Sequence, residues 1–319
     1  MKELYCSDLI TYIGEWAFAY CSSLRKVSIN SKTIVDNNAF SNCPAELEKR
    51  STRTNYVIES DNIFTLKSMQ KAYKGLIDSI LIDPPYNSHI DYIGYKDSNY
   101  SEGYINFMRE RVELAYKLLS NHGFLIINID EGERDNLLKL SKDIFGEELV
   151  TLHRWKKKHP FFDANRVVLN PNKIQTDFEY IIICKKTKEA LLNKIKQPYL
   201  SGNLLLEKEA EVPETFDCFG TTSSAKDEIC EMFGIRDYFS TPKPLKLMKE
   251  LVRATTNKSS LVMDFFAGSG TVGHAVEDLN KEDCGTRHYI LVSNSESDIC
   301  KKVTMKRMEK VNSGFVLLD

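Results

Sequence analysis

The sequence predicts an α/β fold, a mostly parallel sheet covered by helices, preceded by a short segment of different build. Three observations carry this. From about residue 53 the chain alternates short runs rich in β-branched and aromatic residues with longer stretches of helical periodicity, the pattern of strand–helix–strand units. The first fifty residues instead repeat with a period of twenty-two. Two strand-like runs also end abruptly in segments unsuited to a buried strand, Asp83-Pro84-Pro85-Tyr86 and Asp264-Phe265-Phe266-Ala267-Gly268-Ser269-Gly270.

The elements follow in order. Strands are expected at NYVIES (55–60), SILID (79–83), GFLIINID (123–130), FEYIIIC (178–184), LVMDFF (261–266) and HYILVSN (288–294). Between them, EGYINFMRERVELAYKLL (102–119) sets Phe107, Val112, Ala115, Tyr116 and Leu119 on or near one helical stripe. A second helix, ERDNLLKLSKDIF, stops at Gly146. Residues 151–177 and 197–240 are polar, dotted with aromatics and poorly periodic, and read as loops or small insertions over the sheet. The expected division is 1–50 and 51–319.

In the first of these, IGEWAFAYCSSL (13–24) is echoed by IVDNNAFSNCPA (34–45), with Ile13 matching Val35, Ala17 matching Ala39, Phe18 matching Phe40 and Cys21 matching Cys43. Apolar positions recurring in phase at roughly 20–29 residues are the signature of a leucine-rich-repeat solenoid. The pattern resembles the BspA-like leucine-rich-repeat family over residues 4–47. Fewer than three repeats bury little apolar surface alone, so this piece is expected to lean on the following domain, pair with another chain or be a remnant of gene fusion, with an accessory cap as the favoured reading.

Composition narrows the function classes. The 319 residues carry 42% hydrophobic side chains and a formal net charge of −2, enough apolar content for a real core and no general basic coat. The apolar runs ILID (80–83), FLIINI (124–129) and YIIIC (180–184) are too short to span a bilayer. The start, MKELYCSDLITYIGEW, lacks a secretory signal, so a cytoplasmic location is expected, or a nuclear one in a eukaryote. Cys6, Cys21, Cys43, Cys184, Cys218, Cys230, Cys284 and Cys300 form no CxxC pair and no zinc spacing, so reduced thiols and no metal centre are expected.

The run LVMDFFAGSGTVGHAVEDL (261–279) passes from a buried strand through two glycines into an amphipathic helix, a turn whose exposed N–H groups, from Thr271 onward, suit a ligand. It lacks the Gly-Lys-Ser/Thr of a phosphate loop and the third glycine of the dinucleotide fingerprint. Ligands of open α/β sheets sit beyond the carboxyl ends of strands. The two motifs therefore belong to one crevice.

Together these residues resemble the DNA amino-methyltransferases that use S-adenosylmethionine: DFFAGSG (264–270) matches their cofactor loop and DPPY (83–86) their catalytic motif, over roughly residues 55–312. The motif order is that of the β class. YKGLIDSILIDPPYN, FSTPKPLKLMKELV, DFFAGSGTVGHAVEDLNKEDCGTRHYILVSN and ICKKVTMKRMEKV resemble the modification subunits of type III restriction systems, which methylate adenine at N6. The resemblance implies a Rossmann-like methyltransferase fold. It implies catalytic roles for Asp83, Pro84, Pro85 and Tyr86, and cofactor contacts from Asp264 to Thr271 (Asp264, Phe265, Phe266, Ala267, Gly268, Ser269, Gly270, Thr271). Further cofactor contacts are implied at Thr241 and Lys243 in FSTPKP, at Asp61 and Asn62 in ESDN, where Ser60 stands at the usual glycine, and at Asn294 and Glu296 in YILVSNSE.

Double-stranded DNA is the implied substrate, with Asn87 and the cationic strip Arg154, Trp155, Lys156, Lys157 and Lys158 expected to touch it. Residues 151–177 and 197–240 are expected to serve DNA recognition, although 197–240 is short for a type III subunit. A homodimer and a restriction subunit are the implied partners. Cytosine-N4 methylation uses the same chemistry and more often goes with serine in place of Asp83, so aspartate favours adenine. A catalytically inert DNA-binding or assembly module is the alternative of another class.

Overall fold

The computed structural model describes residues 2–6, 10, 12–30, 33–50, 54–88, 91–92, 95–96, 103–159, 163, 177–311 and 313–319. It divides the chain into two units, Met1–Asn55 and Tyr56–Asp319.

In the first unit the sequence period becomes a spatial one. Strands Glu3–Tyr5, Lys26–Asn30 and Glu46–Arg50 form a parallel ladder, and Tyr12–Ile13 pairs in parallel with Ile34–Val35. The repeat-matched rings Phe18 and Phe40 stack 5.1 Å apart, and the Cys43 thiol donates to the Cys21 carbonyl. Cys6, Ile13, Leu24, Val27, Ile29 and Ala39 fill the small interior.

The second unit is built on a sheet of nine described strands. In chain order they are β1 (Asn55–Glu59), β2 (Ile77–Ile82), β3 (Leu119–Ile129), β4 (Val150–Lys156), β5 (Phe178–Lys185), β6 (Thr215–Phe216), β7 (Leu261–Asp264), β8 (His288–Ser293) and β9 (Phe315–Leu318). Their order across the sheet is β6-β4-β5-β3-β2-β7-β8-β1-β9. The run β3-β2-β7-β8-β1 is parallel throughout, and β5 is antiparallel to both β3 and β4. Side chains alternate between two cores, as the period of two requires. Leu81, Val262, Leu291, Ile126 and Ile181 point to one face; Ile82, Met263, Ile290, Ile127 and Ile182 point to the other.

Helices α1 (Asn62–Met69), α2 (Tyr104–Leu118) and α3 (Arg134–Phe145) cover the second face through Leu66, Met108, Val112, Leu137 and Leu140. Then come α4 (Thr222–Phe233), α5 (Leu245–Thr255), α6 (Thr271–Asp283) and α7 (Met305–Lys310). Of these, α5 and α6 cover the first face through Leu247, Leu251, Val272 and Val276. Among the described residues no helix is long and apolar enough to cross a membrane.

The expectation of irregular loops at 151–177 and 197–240 is corrected where the structure describes them. Residues 150–156 are β4, paired along its length with β5. Residues 195–201 and 204–210 form an antiparallel hairpin, and α4 follows, closed by a capping box at Thr221 and Ser224. Residues 160–162 and 164–176 lie outside the described residues. The expected DNA contact at Trp155 is corrected too: alternation along β4 turns its indole into the core, where it has 0% exposure and donates to the Gly220 carbonyl at 3.0 Å. Truncating this ring, Trp155→Ala, should cost about 3–5 kcal/mol of stability in denaturant unfolding. A loss within experimental error would contradict the burial.

Candidate active site

Five strand ends meet at one edge of the sheet. Because β2, β3, β7, β8 and β1 run in parallel, their carboxyl ends place Asp83, Asp130, Asp264, Ser293 and Glu59 there. The antiparallel β5 brings its amino end to the same edge, and with it Glu179, the second residue of the strand.

At the centre is a charge cluster in which Lys243 and Glu179 are buried and Asp83 and Lys157 half-buried. Lys243, just before α5, places Nζ 2.7 and 2.6 Å from the two Asp83 carboxylate oxygens. The same ammonium donates to the Tyr86 hydroxyl at 2.7 Å and lies 3.5 Å from Glu179 Oε2. The Tyr86 hydroxyl is 2.7 Å from Asp83 Oδ1 and 3.1 Å from Glu179 Oε2, and Lys157 approaches Glu179 Oε1 at 3.3 Å. Two acids and two lysines thus balance in a site where an unpaired charge would be costly.

The balance shows in the titrations. Burial pushes the Asp83 carboxyl up, with Lys243 pulling the other way. Burial pushes Glu179 up as well, but Lys243 and Lys157 outweigh it and hold Glu179 below the usual range. Lys243 keeps its proton more firmly than an ordinary lysine: burial opposes the charge, and Asp83 and Glu179 more than offset it. The Tyr86 phenol, buried beside two carboxylates, is pushed well above its ordinary value and stays protonated.

Beside this cluster lies the glycine-rich turn. Gly270 (φ 75°) caps α6 and Gly268 (φ 49°) precedes it, both in left-handed conformations that favour glycine. A Cβ on Gly268 would come 3.3 Å from the Phe239 ring. The Ser269 and Thr271 hydroxyls, expected to touch a cofactor, are engaged by the buried Arg307, whose Nη1 donates to them at 3.3 and 3.0 Å. Burial lowers the Arg307 value to about 10. Asp264 is buried at the end of β7 and accepts one hydrogen bond, from the Phe266 amide at 2.9 Å. Burial, with the Asp83 charge adding to it, pushes Asp264 up to about 8. Among the described residues no cation pairs with this buried acid, and its place beside a glycine-opened helix start suits a positively charged ligand such as S-adenosylmethionine, whose sulfonium and ammonium would supply the missing charge.

The remaining candidates divide. Asp61 caps α1 by accepting from the Ile63 amide at 3.0 Å. Asn62 donates to the Phe265 carbonyl at 2.9 Å and accepts from Arg111 Nε at 2.7 Å, fixing the glycine-rich turn to the start of α1. Arg111, which is not among the candidates that the sequence suggests, lies 3.6 Å above the Phe107 ring and 3.5 Å from Asp61. Thr241 is half-buried, two residues before Lys243 in the chain. Asn294 and Glu296 are exposed past β8 and bond each other at 3.4 Å. Asn87 (φ 57°) donates to Glu133 at 2.7 Å.

Of the cationic strip, Arg154 is exposed, whereas Lys156 pairs with Asp217, Lys157 with Glu179 and Lys158 with Asp177. The most consequential residue absent from the sequence-based candidates is Glu179, since the carboxyl-end rule directs attention away from the amino end of a strand. His159, Asp217 and Cys218, unrelated in spacing, also come together, with ligating atoms within 4.8 Å of one another.

An open, mostly parallel sheet with a strand-end Asp-Pro-Pro-Tyr beside a glycine-rich turn defines a methylase-type α/β domain. The DNA methylase family model matches residues 77–303, and the chain belongs to that family. The BspA type leucine-rich repeat model matches residues 1–98 in six copies, extending beyond the expected 4–47.

Among curated relatives, the StyLTI Mod subunit of a type III restriction-modification enzyme from Salmonella typhimurium is 26% identical, across 83% of this chain and 57% of that protein. The EcoPI Mod subunit of Escherichia phage P1 is 23% identical across 78% and 59%. The chain therefore spans under three-fifths of the length of these relatives. The same fold is seen in TTHA0409 of Thermus thermophilus (TM-score 0.53, 16% identity, 84% of this chain and 100% of that one). It is also seen in the PvuII DNA methyltransferase (TM-score 0.53, 17% identity, 84% and 96%).

The Asp264 environment makes a pH prediction. The folded protein holds a proton on Asp264 that the unfolded chain has already lost between about pH 4 and pH 8, so wild-type stability declines as pH rises through that window. Asp264→Asn removes this decline, and its melting temperature should exceed that of the wild type increasingly from pH 5 to pH 8. A constant difference across the window would contradict the assignment.

Proposed function

We propose that this chain transfers a methyl group from S-adenosylmethionine to the N6 amine of adenine in double-stranded DNA, with the target base turned out of the helix. The observation that carries the reading is the Asp83-Pro84-Pro85-Tyr86 segment at the end of β2, beside the Asp264 turn at the end of the neighbouring β7.

An exocyclic aromatic amine is a poor nucleophile because its lone pair is delocalised into the ring. Asp83 accepts a hydrogen bond from one amine N–H and the Pro84 carbonyl from the other, which holds the nitrogen pyramidal and localises its lone pair; as the N–CH3 bond forms, the S–CH3 bond would break to release S-adenosylhomocysteine, and the one surplus amine proton would pass by way of Asp83 to water. Pro84 and Pro85 have no N–H that could compete for that carbonyl. Tyr86 offers a ring face for the extruded base, and its pinned hydroxyl limits the rotation of that face. S-adenosylmethionine, when bound, supplies the electrophilic methyl. Asp264 and the backbone of Phe265 to Thr271 would hold it, with Asp61, Asn62, Thr241, Asn294 and Glu296 around it.

Aspartate at position 83 supports adenine over cytosine N4. Arg154 is exposed and suited to a phosphate, and the paired Lys156 and Lys158 would exchange their acids for phosphates on binding. The names of the type III relatives support membership of a restriction-modification system with a restriction subunit as partner; a cytoplasmic location and a second copy of the chain complete the proposal.

The test is methyl transfer to unmethylated genomic DNA followed by nucleoside digestion and mass analysis. N6-methyladenine should form, and Asp83→Ala should reduce it by about 10²-fold or more. N4-methylcytosine would move the assignment to cytosine, and no methylated nucleoside from folded protein would favour an inert DNA-binding module.

A further inference from the structure

As the site stands, Lys243 occupies both oxygens of Asp83, the group that the proposed reaction needs for the target amine. The ammonium is buried and cannot simply swing into water, since Lys243 is only 7% exposed. Among the described residues it has one other acid within reach. Glu179 Oε2 lies 3.5 Å from Nζ, beyond a good hydrogen bond, so a displacement of less than about 1 Å would make that bond and loosen the hold on Asp83. Glu179 is itself 6% exposed and fixed on its other oxygen by Lys157, which keeps it in place to receive the charge.

We infer that Glu179 is a positioning residue for methyl transfer, a second seat that takes the Lys243 ammonium when the target amine docks on Asp83. This rests on the proposed reaction. The charge count explains why a second acid is required: with Asp83 as sole counter-charge, the buried Lys243 and the half-buried Lys157 would leave an uncompensated positive charge and hold Asp83 permanently. Tyr86 joins the two seats, its hydroxyl touching Asp83, Glu179 and Lys243 at once.

The decisive variant is Glu179→Gln, which keeps the shape and removes the charge. The charged and titratable groups facing Asp83 and Glu179 are Lys243, Lys157, Tyr86, Asp130 at the end of β3 and Asp264 at the end of β7. Glu179→Gln changes none of these residues. Single-turnover methylation of unmethylated genomic DNA by the full chain should slow by about 10-fold or more, while S-adenosylmethionine affinity by calorimetry stays within about 2-fold.

Glu179 raises the Asp83 value in the wild type, so the acid limb of the rate profile should move to lower pH in the variant. A merely structural role would lower the melting temperature and leave that limb in place. Glu179→Asp, which keeps the charge one methylene further away, should fall between the two, and serves as the test if the glutamine variant does not fold. An active wild type with unchanged rate and acid limb in the variants overturns the inference alone. An inactive wild type overturns the proposed reaction and the inference with it.

Discussion

The ion pair between Asp83 and Lys243 is the interaction around which the domain is arranged. Neither charge would survive burial alone, and each is supported by a different part of the chain: Asp83 by the central strand β2, Lys243 by the approach to α5. Glu179 arrives from β5 and Lys157 from just past β4. Four segments that lie far apart in the chain are therefore tied at one point on the sheet edge. A buried network of this kind is stable only when every member is present, so the cluster joins the antiparallel strands β4 and β5 to the parallel centre.

A second tie serves the neighbouring turn. Asn62 reaches from α1 to the Phe265 carbonyl, and Arg111 on α2 holds Asn62 and Asp61 together. On the other side Arg307 gathers the Ser269 and Thr271 hydroxyls. The turn is thus braced by side chains and by its own backbone, in which the Phe266 amide donates to Asp264, the Ala267 amide to the Val292 carbonyl and the Gly270 amide to the Ala267 carbonyl. Among the described residues Asp264 has no cationic partner, and in the proposed reaction a cationic ligand would gain most there.

Much of this is legible in the sequence. The six apolar runs become β1, β2, β3, β5, β7 and β8, because continuous hydrophobic stretches are what a two-faced parallel sheet requires. The twenty-two-residue period becomes the Phe18–Phe40 stack. What escapes is amphipathic or nonlocal. In β4 only Val150 and Trp155 are buried, so VTLHRWK looks irregular, and the lysines after Trp155 suggest a DNA-facing indole, whereas alternation turns it inward. The hairpin 195–210 is mostly exposed and offers little hydrophobic signal. Lys243 reads as a cofactor contact in the sequence because its pairing with Asp83 spans 160 positions, and Glu179 gives no signal because strand direction cannot be read from composition.

The most direct measurement of the central claim is a structure of the full chain with a methyl-free cofactor analogue and a DNA duplex carrying the sequence it methylates. The extruded adenine should place N6 within about 3 Å of an Asp83 oxygen, with Lys243 displaced toward Glu179. An adenine seated away from Asp83, with Lys243 still on both carboxylate oxygens, would contradict the account.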